Sequence, residues 1–395
     1  MNSKSDSGCP NFKPNEEIKN ILIYRIGQLG DTIVALPAIW AIRRHFPTAH
    51  LALLSDTHGN ETYVSAQSVF PQDGLFDKWL TYPAKYEGTS LRGMFDLLVE
   101  LRRNKFDTLV YLAPRRRTPS QVQRDLVFFR MAGIHTFIGH RGFEILSKKD
   151  SNKPLVKLQH EADHLLFRLS LTGIPVPDFG CGEMDLKLTS IEREAGRSWM
   201  MNHSDNNSGR CLPVGIGPGS KKPSKVWPVE NYVELGKILI REFNLFPVVF
   251  GGKEDIALAN HLIAQWGRGA CAAGQMTVRE SAAALSYCRV FIGNDSGAMH
   301  LAAAVGTTCI VAFSAQFHPG AWYPYGEGHV VLREYVSCEG CMLDECNRGM
   351  DCLKAISVKK MVDASFAVLS RFDDIGDYIS VHSTSYSLGR FTSGR

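Results

Sequence analysis

A chain of 395 residues is too long for one ordinary domain and suits two of moderate size. Its 44% hydrophobic and 21% charged residues are those of a globular protein with real cores, and no uncharged apolar stretch reaches the roughly 18 residues of a membrane-spanning helix. The 44 basic and 40 acidic residues leave a net charge of +4, too little to make nucleic acid the main partner but compatible with an anionic substrate or loose attachment to an acidic membrane surface.

The polar start, MNSKSDSGCPNFKPNEE, lacks the apolar middle of a secretory signal, so residues 1–19 read as a disordered lead-in and the cytoplasm as the compartment. ILIYRI (21–26) reads as a strand and DTIVALPAIWAIRRHF (31–46) as a helix, followed by a second strand, HLALLSD (50–56). After a less regular stretch come the strand FDTLVYLA (106–113), the helix QVQRDLVFFRMAG (121–133), HTFIGH (135–140) and the helix HEADHLLFRLSLTGI (160–174). The polar run NHSDNNSGR (202–210) has linker composition, and the alternation then begins afresh. LPVGIGPG (212–219), LFPVVFGG (245–252), RVFIGN (289–294) and TCIVAFS (308–314) read as strands. The helices between them are 229–243, 254–266, 277–288 and 296–306. SVKKMVDASFAVLSRF (357–372) is a last amphipathic helix, and 373–395 a flexible tail. Strands alternating with helices require parallel β-α-β units whose sheets are covered on both faces. Ligands of such sheets bind beyond the carboxyl ends of the strands, so the residues just after each strand deserve inspection.

GNDSGAMH (293–300) places Asp295, Ser296 and Gly297 between a strand and a helix. A capped helix explains much of this; alternatively, the free N–H groups of Ser296 and Gly297 hold a phosphate, with His300 one turn further in. GQLGD (27–31) is Gly-x-x-Gly-Asp, either a tight turn capped by Asp31 or a catalytic loop. It is not the Gly-x-Gly-x-x-Gly of a dinucleotide fold, which argues against a nucleotide-dependent oxidoreductase. GPGSKKPSKVW (217–227) follows another strand, and its lysines read either as a solvated face or as phosphate ligands. Arg115, Arg116 and Arg117 follow a first-half strand; a charge run is usually solvated, but at a cleft edge these suit an acceptor carrying carboxylates or phosphates. Of the ten cysteines, Cys338, Cys341, Cys346 and Cys352 are spaced C-x2-C-x4-C-x5-C, a pattern that either completes a structural zinc or iron site or merely packs a loop.

Taken together, NDSGAMHLAAAVGT with PGAWYPYG, RIGQLGDTIVALPAIWAIRRHFP (25–47) and GPGSKKPSKVWPVENYVEL (217–235) resemble, in order, the motifs of glycosyltransferase family 9, the heptosyltransferases of lipopolysaccharide core assembly. The resemblance runs from about residue 20 to 370. It implies a GT-B fold of the α/β class: two Rossmann-like domains with parallel sheets facing a central cleft, an acceptor-binding one at 20–201 and a donor-binding one at 211–356. The implied activity is an inverting transfer, typically of heptose from ADP-heptose, to an anionic glycolipid, with no cofactor required and at most peripheral contact with the inner membrane. Alternatives are another nucleotide sugar, an O-antigen, capsule or protein acceptor, or a non-catalytic relative, against which the intact Asp31, Lys225 and Asp295 argue. Carried over, Asp31 is the general base that an inverting displacement requires, with Gly27 and Gly30 leaving room for the acceptor. Lys225 stabilises the departing diphosphate. Ser220, Lys221, Glu254, Met276, Asp295, Ser296, Gly297 and His300 hold the donor: Glu254 against the ribose, Met276 beside the adenine. The resemblance also includes relatives with similar cysteine clusters and a branch with an iron–cysteine site.

Overall fold

The computed structural model describes residues 18–59, 63–83, 91–143, 153–203 and 211–372. Most of the expected lead-in and linker, and the whole 373–395 tail, lie outside the described residues.

The first half runs β1 (Asn20–Tyr24), α1 (Leu29–Ile33), α2 (Leu36–His45), β2 (His50–Thr57), β3 (Lys78–Pro83), α3 (Leu91–Asn104), β4 (Thr108–Tyr111), α4 (Pro119–Met131), β5 (Thr136–Ile138) and α5 (Glu161–Ser170). After α6 (Ser190–His203) come β6 (Leu212–Gly217), α7 (Val229–Phe243), β7 (Leu245–Val249), α8 (Ile256–Trp266), β8 (Ala270–Cys271), α9 (Val278–Leu285), β9 (Val290–Asn294), α10 (Gly297–Ala304), β10 (Thr308–Ala312), β11 (Val330–Leu332), α11 (Asp351–Lys354) and α12 (Val358–Leu369). The strands form two parallel sheets, ordered β3-β2-β1-β4-β5 and β11-β10-β9-β6-β7-β8. In each, the first strand of the half lies beside the fourth, so the order reverses between β1 and β4 and between β6 and β9. Those two points are where an open parallel sheet opens a crevice for ligand.

The expected helix 31–46 is broken, with α1 ending at Ile33 and α2 starting at Leu36. Pro37 has no N–H to offer the Ile33 carbonyl and its ring crowds that turn, whereas near the start of a new helix it costs nothing. The apolar residues of α2, from Leu36 to Ile42, are buried as the helical spacing required.

Central strands are covered on both faces: every residue of β4, β7 and β9 is buried. One apolar cluster runs unbroken from Ile21, Ile33 and Ile39 in the first half to Phe291, Met299 and Val311 in the second. The two sheets therefore share a core, and separate clusters line their outer faces, around Leu22, Leu109 and Leu126 and around Val214, Trp227 and Leu239. Polar links reinforce the junction. The segment containing PGAWYPYG lies against α5: Leu158 N–H donates to Pro319 O (2.8 Å), Glu161 N–H to Ala321 O (2.9 Å) and Tyr325 Oη to Asp163 Oδ1 (2.6 Å). On the opposite side Arg279, buried on α9, donates to the carbonyls of Val69 (2.9 Å), Leu186 (3.0 Å) and Lys187 (3.1 Å) and to the Glu192 carboxylate.

α6, which extends through His203 and so takes up the first two residues of the expected 202–210 linker, packs on α9 of the second half. Gly196 makes this contact possible, since a Cβ there would lie 2.6 Å from the Ala284 amide nitrogen and 2.7 Å from Ala283 Cβ. Replacing Gly196 by Ala should gain up to about 1 kcal/mol of helix propensity. Forcing two backbones apart costs about 1–3 kcal/mol. The expected net result is destabilisation, read as a lower urea midpoint; a midpoint at or above that of the parent would show that α6 is not seated as described.

Candidate active site

The three glycine-containing motifs, after β1, β6 and β9, sit at the two sheet reversals. In the first sheet, β1 runs into Gly27, whose φ of 126° and whose hypothetical Cβ, 2.5 Å from Asp31 Cβ, exclude any side chain. The Gly27 N–H donates to Asp56 Oδ1 (3.0 Å) at the end of β2, and the Gln28 N–H to Asp31 Oδ2 (2.9 Å). Asp31 thus stabilises the start of α1, as a capping residue would, yet its side chain stays 26% exposed. Behind it the guanidinium of Arg25, 1% exposed, donates to Asp31 O and to Leu112 O (2.7 Å), and Nη2 stands 3.7 Å from Asp31 Oδ1. Neither Arg25 nor Asp56 was singled out by spacing; Arg25 sits inside the first motif, whereas nothing around Asp56 in the sequence marks it.

The three consecutive arginines do not act together. Arg115 is buried and ion-paired with Glu161 (2.6 Å), each side chain 0% exposed, and also donates to Gln159 O (2.7 Å). Arg117 turns to Tyr24 Oη (3.3 Å) and Asp125 (3.5 Å). Only Arg116 is exposed, 6.0 Å from the Phe317 ring. Arg115 and Arg117 are therefore not free to meet an acceptor as expected, because the remote Glu161 claims Arg115 and the nearby Asp125, with Tyr24, claims Arg117.

In the second sheet the buried amide of Asn294, at the end of β9, organises three segments. Its Nδ2 donates to Pro218 O (2.6 Å), and its Oδ1 accepts from the Trp227 N–H (3.0 Å) and from Tyr232 Oη (2.9 Å). This ties the Gly-Pro-Gly turn and the Lys-Val-Trp-Pro stretch to the start of α10. As a result Lys225 Nζ reaches Asp295 Oδ2 (2.6 Å), the carboxylate being nearly buried. Ser296 is the N-cap of α10 but makes no capping bond, and its buried Oγ has no partner among the described residues. Ser220 lies in the adjoining turn, accepting from the Lys222 N–H (3.4 Å). Glu254 is exposed in a 3-10 turn after β7 and its charge acts on Lys221. The neighbouring Asp255, not anticipated, nests against Gly219 and Gly251 and accepts from the Gly252 N–H (2.9 Å), and burial raises its pKa. Met276 packs half-buried against the shared core.

The two halves meet at the starts of α1 and α10. A Cβ on Gly30 would lie 2.8 Å from His300 Cδ2, and one on Gly297 would lie 2.8 Å from Leu29 Cδ2. Lys221 Nζ crosses to Gln28 Oε1 (2.7 Å) and sits 5.9 Å from the Tyr63 ring. His300 is buried, and burial with the Lys225 charge pushes its pKa down to about 3, so it is a neutral imidazole here. Asp31 and the Asp295–Lys225 pair therefore flank one interface from opposite sides.

Among the described residues, no three His, Cys, Asp or Glu side chains stand where they could hold a metal ion. The ligand set expected at Cys338, Cys341, Cys346 and Cys352 is not formed. Cys346 Sγ instead closes a turn, accepting from the N–H groups of Arg348 (3.4 Å) and Met350 (3.3 Å), and burial raises the pKa of the Cys352 thiol.

The family model described as glycosyltransferase family 9 (heptosyltransferase) matches residues 181–350, which include the Asn294-organised half of the site. Over that segment the chain is similar to glycosyltransferase family 9. Lipooligosaccharide heptosyltransferase 2 of Haemophilus ducreyi is 32% identical over 127 residues, which is 30% of this chain and 36% of that relative's length. A family 9 glycosyltransferase structure from Veillonella parvula superposes with a TM-score of 0.67 at 20% identity, over 90% of this chain and 98% of that one. The E. coli ADP-heptose lipopolysaccharide heptosyltransferase II structure gives 0.62 at 17% identity, over 89% and 99%. The architecture of the chain is the GT-B fold.

Two buried histidines make a pH prediction for this fold. His164, 0% exposed and without a partner for either ring nitrogen among the described residues, is pushed down to about 3 by burial and by Arg115 and Arg168, as His300 is by burial and Lys225. A histidine whose folded pKa lies below its unfolded value binds fewer protons when folded, so its neutral burial is fully tolerated above pH 6.5 and penalised as pH falls towards 3. Lowering the pH from 7 to 5 should remove about 2 kcal/mol of stability per histidine. Urea titrations should show this fall and a shallower one in His164→Leu; an unchanged slope in the variant would contradict it.

Proposed function

We propose that the chain is an inverting glycosyltransferase that moves heptose from ADP-heptose to a hydroxyl of a lipopolysaccharide-core acceptor. The observation that carries the reading is the opposed pair of helix starts: a half-open carboxylate on α1 faces an N-terminus on α10 whose Ser296 Oγ is buried and unpartnered among the described residues. Helix N-termini with free N–H groups bind phosphate. In this reading the diphosphate of the donor lies at Ser296 and Gly297, beside Ser220 and Lys221, with Lys225 next to the bond that breaks. Glu254 and Met276 serve the nucleoside, and Asp295 orients the sugar while holding Lys225 in place (2.6 Å). Neutral His300 offers hydrogen bonding without adding charge.

Asp31 takes the proton of the acceptor hydroxyl as that oxygen attacks the anomeric carbon. The carbon–oxygen bond to the diphosphate breaks on the opposite face, which inverts the configuration, and ADP leaves with the electron pair. Lys225 and the α10 N-terminus stabilise its charge in a water-poor crevice, where fixed donors act most strongly. Gly27 and Gly30 keep the approach to the carboxylate clear, and the exposed Arg116 is the guanidinium left to meet acceptor anions. The scheme calls for no cofactor. Heptose as the sugar is supported by the names of the similar proteins, heptosyltransferases acting on lipopolysaccharide or lipooligosaccharide. The reading places the enzyme in the cytoplasm, working at the inner face of the membrane; none of the described helices is long and apolar enough to cross one.

A thermal-shift panel of ADP-heptose, ADP-glucose, UDP-glucose and GDP-mannose, followed by turnover with the donor that stabilises most, tests the assignment. ADP-heptose should give the largest shift and yield ADP with a deacylated core acceptor. A larger shift with a UDP or GDP sugar would overturn the heptosyl reading.

A further inference from the structure

The turn that carries Asp31 is held from the neighbouring strand by a residue with no part in the transfer as set out above. Hydrogen bonds of a parallel ladder recur at even spacing. Arg25 N–H donates to Leu54 O (3.0 Å), so the next rung would join the Gly27 N–H to Asp56 O. That carbonyl is claimed instead by Tyr63 Oη (2.6 Å). The Asp56 carboxylate takes the rung in its place, Oδ1 accepting from the Gly27 N–H (3.0 Å). Its Oδ2 lies 3.2 Å from His58 Nε2, and the His58 and Tyr63 rings pack with centroids 4.6 Å apart. Register with Tyr82 of β3 fixes the Asp56 backbone from the other side.

What Asp56 holds bears directly on Asp31. The next N–H along, that of Gln28, goes to Asp31 Oδ2 (2.9 Å), so two successive amides are held by two carboxylates. A Cβ on Gly27 would lie 2.5 Å from Asp31 Cβ, so the Gly27 backbone sits on the Asp31 side chain and any shift of one is passed to the other. The Asp56 side chain is only 13% exposed. Burying a carboxylate is costly, but a charged acceptor bonds an N–H about twice as strongly as a neutral one. Burial lowers the pKa of Arg25, and the charges of Asp31, Glu161 and Asp56 oppose that shift, so Asp56 also helps to keep the cation beneath the turn.

We propose that Asp56 is a positioning residue for the transfer: it clamps the Gly27 turn so that the Asp31 carboxylate meets the acceptor hydroxyl, while His58 and Tyr63 hold Asp56. The inference rests on Asp31 being the base of the proposed reaction, but the clamp itself is read without turnover. Asp56→Ala and Asp56→Asn are compared with the parent in the full chain. In Asp56→Ala the amides of residues 27–31 should exchange hydrogen about tenfold faster or more. Single-turnover transfer at saturating acceptor should fall about 10- to 100-fold, the scale of a misplaced reacting group. Donor affinity and the acceptor concentration at half-saturation should stay within a few-fold. Asp56→Asn keeps an oxygen for the Gly27 N–H, so it should restore the slow exchange and most of the transfer rate. Asp56→Ser, polar but too short to reach that N–H, should behave as Asp56→Ala does and replaces it if the alanine variant melts too low to assay. Unchanged exchange in the shortened variants, transfer at the parent rate, or an Asp56→Asn as slow as Asp56→Ala would each overturn the proposal. A parent that transfers no heptose while the exchange differences hold would count against the transferase reading and leave the clamp on the turn standing.

Discussion

Two glycines set how closely the halves of this molecule approach. Gly30 lies in the first turn of α1 and Gly297 begins α10; a Cβ on either would stand 2.8 Å from a side chain of the other half. Because neither has one, His300 lies against the backbone of the Asp31 loop and Leu29 against the start of α10. The short distance lets one apolar core run through both sheets, and it brings the two strand-order reversals to a single crevice. A parallel sheet supplies a ligand site at each reversal as a consequence of its topology. What the glycines add is that the two sites become one.

The floor of that crevice carries concentrated positive charge. Arg25, Arg115 and Arg168 are all buried near the carboxyl ends of β1, β4 and β5, with Glu161 as the buried carboxylate among them. Their donors go largely to main-chain oxygens: Arg168 to Tyr111, Ala113 and Gly139, Arg25 to Leu112 and Asp31. Burying unpaired charge is expensive, and burial pushes Arg168 down to about 9. The strand-end carbonyls hold both terminal nitrogens of Arg25 and three donors of Arg168, which makes a cationic support under the Asp31 loop. Removing Arg25 would leave Leu112 O and Asp31 O short of a donor, so its role is to position Asp31.

Much of this was legible in the sequence because it is local. Strand, turn and helix start are contiguous in GQLGD, in GPGSKK and in GNDSGAMH, so glycine placement and apolar runs exposed them, and the order of the motifs supplied the fold. What stayed hidden depends on long-range contact. Nothing near Arg115 marks Glu161, 46 residues on, as its partner. α3 escaped notice because its outward face is apolar, which blurs the amphipathic period, and α6 because Gly196 and Met200 are its only fully buried residues. Pro37, read as part of one helix, in fact divides two. The cysteine spacing permitted a metal site, but spacing fixes neither the direction of a sulfur nor whether backbone N–H groups will claim it, as they do at Cys346.

In the proposed transfer, labour is divided across one interface, with donor binding on the α10 side and proton removal on the α1 side. This division is tested most directly by measuring ADP-heptose affinity and single-turnover transfer in Asp31→Asn and in Asp295→Asn. Asp31→Asn should bind the donor within a few-fold of the parent while transfer falls by roughly the 10²–10⁴ of a lost general base, and Asp295→Asn should lose donor affinity and transfer together. Equal loss of donor affinity in both variants, or undiminished transfer by Asp31→Asn, would contradict it.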